Sequence, residues 1–178
     1  IYEYVGNPVE DLMNLTTLEG HKNTISSLVE LPDNVLASGS HDGTIKLWTN
    51  AKHLSHTFNS CSFRCITSLV VLSTGHLASG SGDGTIQVWD CTQKKLLHTE
   101  TGNNSNNGIY SVKNMLALPN GILAVRMFSE IEIWATDGHL CLKQTFYCGD
   151  DRYYKMTLVS NHWCACLAFS RRTNSRND

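Results

Sequence analysis

The chain is predicted to be all-β, an array of four-stranded antiparallel units built to one pattern. Three observations carry this prediction. A phrase occurs twice almost letter for letter: Leu36 to Trp48 reads LASGSHDGTIKLW, and Leu77 to Trp89 reads LASGSGDGTIQVW. Tryptophans close successive copies at steps of 41 and 45 residues (Trp48, Trp89 and a worn third copy at Trp134), a period that marks one supersecondary unit repeated. The segments between are short and rich in Val, Ile, Leu and Thr. They are broken by Gly, Asn and Asp, and no long stripe has the helical period.

The first unit divides cleanly. Thr24 to Leu31 is a strand, and Pro32-Asp33-Asn34 a turn, because Pro presets φ while Asp and Asn tolerate turn geometry. Val35 to Ser40 is a second strand, Asp42-Gly43 a hairpin in which Gly accepts positive φ, Thr44 to Trp48 a third strand and Leu54 to Phe58 a fourth. The second unit repeats the plan: Ile66 to Leu72, a Ser73-Thr74-Gly75 turn, His76 to Ser81, the Asp83-Gly84 hairpin, Thr85 to Trp89 and Lys95 to Thr99. The third diverges. Its strands are Val112 to Leu118, Ile122 to Met127, Glu130 to Trp134 and Leu140 to Phe146; Pro119-Asn120-Gly121 makes the turn, and the Asp-Gly hairpin is lost with one residue. Met156 to Val159 and Trp163 to Phe169 read as half of a fourth unit, and Asp11 to Leu18 as a stray last strand of a preceding one. Residues 1–10 are an N-terminal extension, 11–170 the repeat segment (units about 21–58, 62–99, 108–146 and, in part, 154–169) and 171–178 a polar tail. Asn103 to Gly108 is a loop joining units two and three.

Composition narrows the function. A net charge of −2, from 14 basic and 16 acidic residues, gives no electrostatic footprint for nucleic acid or an anionic membrane surface. Arg171, Arg172 and Arg176, interrupted by Thr, Asn and Ser, read as a solvated tail. No stretch approaches the roughly 20 apolar residues that span a bilayer. The first residues lack the basic and apolar regions of a signal peptide. Seven cysteines show no Cys-x2-Cys pair, and their odd number does not make a complete disulfide framework; they read as small buried thiols of a reducing, cytoplasmic compartment. Sequons at Asn14 and Asn103 carry no meaning there.

Gly20-His21, the two LASGS…DGTI…W phrases and Trp89-Asp90 closing the second copy resemble the WD-repeat β-propeller family. The resemblance covers residues 11 to 146 well and 154 to 169 weakly. It implies a propeller of four-stranded blades, about three and a half of them here, belonging to a larger ring or completed by a second copy, since rings in this architecture need about four to eight blades. It also implies a buried hydrogen-bond chain in each blade. Blade one supplies every member, His21, Ser38, Asp42 and Trp48; blade two keeps Ser79, Asp83 and Trp89 but has Ser62 at the His position; blade three keeps only Trp134, with Val125 at the Ser position. The network, and with it stability, is expected to fall in that order. No Trp-Asp-x-Arg box exists, the three tails reading WTNA, WDCT and WATD, so relatives that dock on the cullin-ligase adaptor are not matched.

Several patterns mimic chemistry. Ser40-His41-Asp42 has the residues of a triad, but consecutive strand residues alternate faces. Gly80 to Gly84 lacks the Lys and helix of a phosphate loop. His53 and His56 lie at odd spacing on one strand, and His76, His98, His139 and His162 have no carboxylates at ligand spacing, so no metal and no cofactor is expected. Trp163 reads as a core aromatic. What remains is the rim. Family members bind partners where first strands begin and the hairpins between strands two and three turn. Those places fall at Thr24, Ser26 and His41, at Cys65, Thr67 and Gly82, and at Ser111, Lys113 and Phe128. The function expected is a non-catalytic protein-protein interaction scaffold, with protein partners and no nucleic acid or membrane. The alternatives are substrate recognition in a ubiquitin ligase or, less favoured, a propeller enzyme.

Overall fold

The computed structural model describes residues 17–49, 53–60, 64–101, 111–128, 130–136, 139–147, 154–160 and 163–168; within the last two stretches Met156 is the one side chain described. The N-terminal extension, residues 11–16 of the expected stray strand, Ser62, the 103–108 loop, His162 and the polar tail lie outside them; Thr17 and Leu18 form no strand.

Fourteen strands form four antiparallel sheets in simple sequence order among the described residues. Blade one is β1 (Ile25–Leu31), β2 (Val35–Ser40), β3 (Thr44–Thr49) and β4 (His53–Asn59). Blade two is β5 (Ile66–Val71), β6 (Leu77–Ser81), β7 (Thr85–Asp90) and β8 (Lys95–Thr101). Blade three is β9 (Asn114–Leu118), β10 (Ile122–Arg126), β11 (Glu130–Ala135) and β12 (Cys141–Tyr147), and a two-stranded sheet follows, β13 (Tyr154–Ser160) and β14 (Trp163–Ala168). β9 starts two residues later than expected for a physical reason. The Val112 amide donates to Ser81 O of the preceding blade (3.0 Å), so the chain is still tied there before it enters its own sheet.

The hairpins of blades one and two are the same turn: Gly43 N and Gly84 N donate to Ser40 O and Ser81 O, both at 3.1 Å, with φ of 79° and 86° at the glycines. Blade three closes its shorter hairpin through Met127 N to Glu130 O (2.8 Å). A register shift recurs just before each tryptophan, at Leu47/Trp48, Val88/Trp89 and Ile133/Trp134. The repeat is therefore structural even where the letters have worn away.

The innermost strands β1, β5, β9 and β13 are neighbours in series, and the core lies in the seams between blades. Ala37, Ile45, Leu47 and Phe58 of blade one pack against Ile66, Leu69, Leu77 and Trp89 of blade two. Ala78, Ile86 and Val88 pack in the same way against Val112, Met115, Leu123, Val125 and Trp134 of blade three. Burying each of the larger of these side chains (Val, Leu, Ile, Met, Phe) contributes about 1.5–3 kcal/mol, so the seams hold the blades together. Two small residues set their closeness. A Cβ on Gly39 would stand 2.6 Å from Ile66 Cγ2, and one on Gly80 only 2.4 Å from Val112 Cγ1. Opposite each glycine is a serine whose Oγ accepts from the next blade: Leu69 N to Ser27 (3.0 Å) and Met115 N to Ser68 (3.1 Å). Blade three breaks the pattern with Asn114 opposite Arg126. Blade one is open on its other side, where Ile25 and Leu28 are 48% and 60% exposed although their counterparts Ile66, Leu69, Val112 and Met115 are buried.

Candidate functional site

The loop before β1 is tied to the β2–β3 hairpin by a relay that begins at the buried Trp48 of β3. Trp48 Nε1–H donates to Ser38 Oγ (2.8 Å), which leaves the Ser38 hydroxyl hydrogen for His21 Nε2 (2.7 Å). His21 therefore carries its proton on Nδ1 and donates it to Asp42 Oδ2 (3.0 Å). Asp42 accepts three more hydrogen bonds: from Lys22 N on Oδ2 (2.8 Å), and from Thr44 N (2.9 Å) and Thr44 Oγ1 (2.6 Å) on Oδ1. Burial alone would raise this carboxyl; the donors from Thr44, Lys22 and His21 outweigh it and hold Asp42 far below the usual range. The four residues quoted for blade one, His21, Ser38, Asp42 and Trp48, are thus in one chain. Thr44 is a fifth member not singled out from the sequence, although the Asp-Gly-Thr of both phrases carried it.

Blade two joins Trp89 Nε1–H to Ser79 Oγ (2.8 Å), while Asp83 accepts from Ser81 Oγ and from Thr85 N (3.0 Å). Blade three departs from expectation. The indole of Trp134 does not lose its acceptor: it donates to Glu132 Oε2 (3.0 Å), two residues back on its own strand, with Val125 buried at the serine position. Glu132 is fully buried, and beside it burial and the Glu132 charge push the Glu130 carboxyl up. The equivalent places are Lys46 and Gln87, whose Nζ and Nε2 donate to Thr57 and Thr99 Oγ1 across to the outer strand (3.0 and 3.3 Å).

The rim candidates divide. Thr24 and His41 are exposed, and His41 N donates to Thr24 O (2.9 Å), so loop and hairpin form one surface. Lys113 is exposed and Phe128 is 47% exposed at its hairpin. Cys65 is half-buried and fixes its neighbour hairpin by accepting from Gly82 N (2.9 Å). Ser26 donates to Ile66 O (2.6 Å) and Gly39 O (3.1 Å), and Thr67 to Gly80 O (3.1 Å), so both hydroxyls serve the frame. Ser111 must be corrected: at 7% exposure it is interior, carried inward by the tie of Val112 to blade two.

The apparent triad separates in space. Ser40 Oγ donates to Asn23 O (3.1 Å), His41 faces solvent and Asp42 belongs to His21. The histidines are less scattered than expected. His76, His98 and His139 line one cleft of about 290 Å³ between blades two and three, on the side away from the hairpins, with the His98 and His139 rings 5.1 Å apart. Among the described residues no three His, Cys, Asp or Glu are arranged to hold a metal ion.

Residues 13–49 and 52–90 match the WD40 family (WD domain, G-beta repeat). Over 33 residues the chain is 61% identical to the ribosome biogenesis protein YTM1 of Saccharomyces cerevisiae, a match covering 17% of this chain and 7% of that protein. Among solved structures, the WD40 β-propeller domain of Doa1 superposes with a TM-score of 0.61 at 30% identity, over 73% of this chain and 43% of that one. The RRP9 WD40 repeats give 0.63 at 20% over 73% and 40%, and the C-terminal WD40 domain of Sif2 0.63 at 20% over 76% and 40%. The chain therefore spans less than half the length of these propellers. Residues 13–49 and 52–90 thus carry WD40 repeats, and the described residues have the fold of part of a WD-repeat β-propeller.

Proposed function

We propose that the chain is a protein-binding scaffold without catalysis of its own, read by its partners on the hairpin face. The observation that carries this reading is the Asp42 relay. One carboxylate gathers four donors from the loop and the hairpin, so Lys22, Thr24 and His41 are held in fixed relative positions at the surface. Rigid presentation of short loops lowers the ordering penalty of binding and favours recognition over turnover. Cys65, Cys91 and Cys141 are unpaired thiols, and burial pushes Cys91 up to about 11, in keeping with a reducing, cytoplasmic setting.

A photo-crosslinking amino acid at His41, compared with one at Glu30 near the opposite end of blade one, tests the reading. A partner identified from the His41 position should bind the purified chain and lose affinity with rim variants. Equal capture at both positions would contradict it. Completion of the ring by a second copy is a separate proposal, tested by light scattering.

A further inference from the structure

Resting on the reading of the hairpin face as the partner-binding side, we propose that Arg126, Lys113 and Phe128 form a recognition site on blade three for an acidic, partly apolar peptide segment of a partner protein. The first observation is the broken pattern. At the place where blades one and two have Gly39 and Gly80 to seat the next blade, blade three has a guanidinium, and where they have a serine it has Asn114. Among the described residues nothing has taken up the change. Arg126 Nε and Asn114 Oδ1 are both buried and neither has a hydrogen-bond partner. Buried polar groups are rarely left so, and an arginine donor kept in that state is satisfied by an acceptor that arrives with a ligand. Its own sheet cannot supply one. Register pairs Arg126 with Ile131 and Val125 with Glu132, so the two buried carboxylates of β11 lie on the opposite face of the blade.

The second observation is the surroundings. Lys113 N donates to Arg126 O (2.8 Å), which fixes the two residues side by side, and the Lys113 side chain is exposed. Phe128, two residues beyond Arg126 on the same hairpin, offers an exposed aromatic ring. Lys22 is exposed on the same side, while the rim carboxylates Asp42 and Asp83 already accept from their own hairpins. A chain of net charge −2 thus turns a cationic rim toward its partner. A guanidinium with an ammonium beside it suits a carboxylate, and the adjacent ring suits an apolar neighbour of that carboxylate. Nucleic acid is disfavoured, since duplex binders neutralise about 6–10 phosphates and this rim offers few cations.

The test uses the 178-residue chain and a fluorescein-labelled probe, Gly-Ser-Glu-Leu-Glu-Glu-Leu-Glu-Ser-Gly, read by anisotropy, with a Gln-for-Glu probe and a uridine 15-mer as comparisons. The expected result is binding of the Glu probe that weakens with salt and falls about tenfold or more in Arg126→Gly and about threefold in Lys113→Ala, with partial retention in Arg126→Lys. Arg126→Gly restores the residue used in the other seams, so its melting temperature should equal that of the parent or exceed it. Lys113→Ala lies on the surface and keeps the test decisive if Arg126→Gly folds poorly. Unchanged affinity in both variants overturns the proposal, as does tighter binding of the uridine oligomer. If the Gln probe binds equally well and loses affinity in Phe128→Ala, carboxylate recognition is wrong while the hairpin face still binds protein. If neither probe binds and crosslinking at His41 gives no partner, both readings fall.

Discussion

In blade one the indole of Trp48 opens a relay through Ser38, His21 and Asp42 that ends in the surface loops; in blade three the indole of Trp134 donates to Glu132 of the same strand. Both arrangements satisfy the same buried donor. They differ in what else they hold. The first spans two strands, a hairpin and the loop before β1, so the rim is tied to a buried tryptophan of β3. The second lies within β11, whose hairpin to β10 carries Phe128 and the Arg126 departure. A blade can therefore keep its tryptophan and its packing while the indole takes a different acceptor.

The largest expected effect breaks the seam between blades two and three. Gly80→Leu forces a Cβ against the stiff Val112 side chain and should destabilise by about 3 kcal/mol in urea unfolding, the upper end of overpacking. Next is Asp42→Ala, which strands donors on His21, Lys22 and Thr44 and should lose about 2–3 kcal/mol. Asp83→Ala, in the blade with the partial network, should lose about 1 kcal/mol. The Glu132→Gln change keeps an amide oxygen for Trp134 and removes a buried charge, so it should stay within about 1 kcal/mol of the parent. A loss as large as that of Asp42→Ala would show that blade three relies on the carboxylate itself. Smallest is Leu28→Thr on the open face, expected within about 0.5 kcal/mol, whereas the same change at its buried counterpart Leu69 should be plainly destabilising.

Acidity separates the two blades in opposite directions. Asp42 is held below its ordinary value, so its contribution is complete above that value and is lost as pH falls through the folded-state value. Glu130 is raised, so the contribution of its protonated form is present below the ordinary glutamate value and is lost as pH rises through the raised one. Local exchange should therefore speed up in blade one on acidification and in blade three as pH rises through the carboxylate range.

The fold was legible because its signals are local. A Gly in positive φ after Asp, alternating apolar letters and a closing Trp each act over a few residues, and they place the strands of blades one to three within about two residues of where they lie. The blade-one relay was legible only through the family resemblance, since His21 and Asp42 stand far apart in sequence. What stayed hidden depends on contacts between blades. No letter in Leu123 to Trp134 announces that Glu132 replaces a serine on the neighbouring strand. Ser111 reads as polar and exposed until the tie of Val112 to Ser81 draws it inward. Gly39 and Gly80 look like flexible strand residues until Ile66 and Val112 are packed against them.

Residue-resolved amide exchange by NMR on the parent and on Asp42→Ala tests the central claim that the relay from Trp48 to Asp42 fixes the rim. Protection of the Lys22 and Thr44 amides in the parent, lost in the variant while β9–β12 stay protected, is the predicted result. Parent Lys22 and Thr44 amides exchanging as fast as an unfolded peptide, or losing nothing in Asp42→Ala, would contradict it.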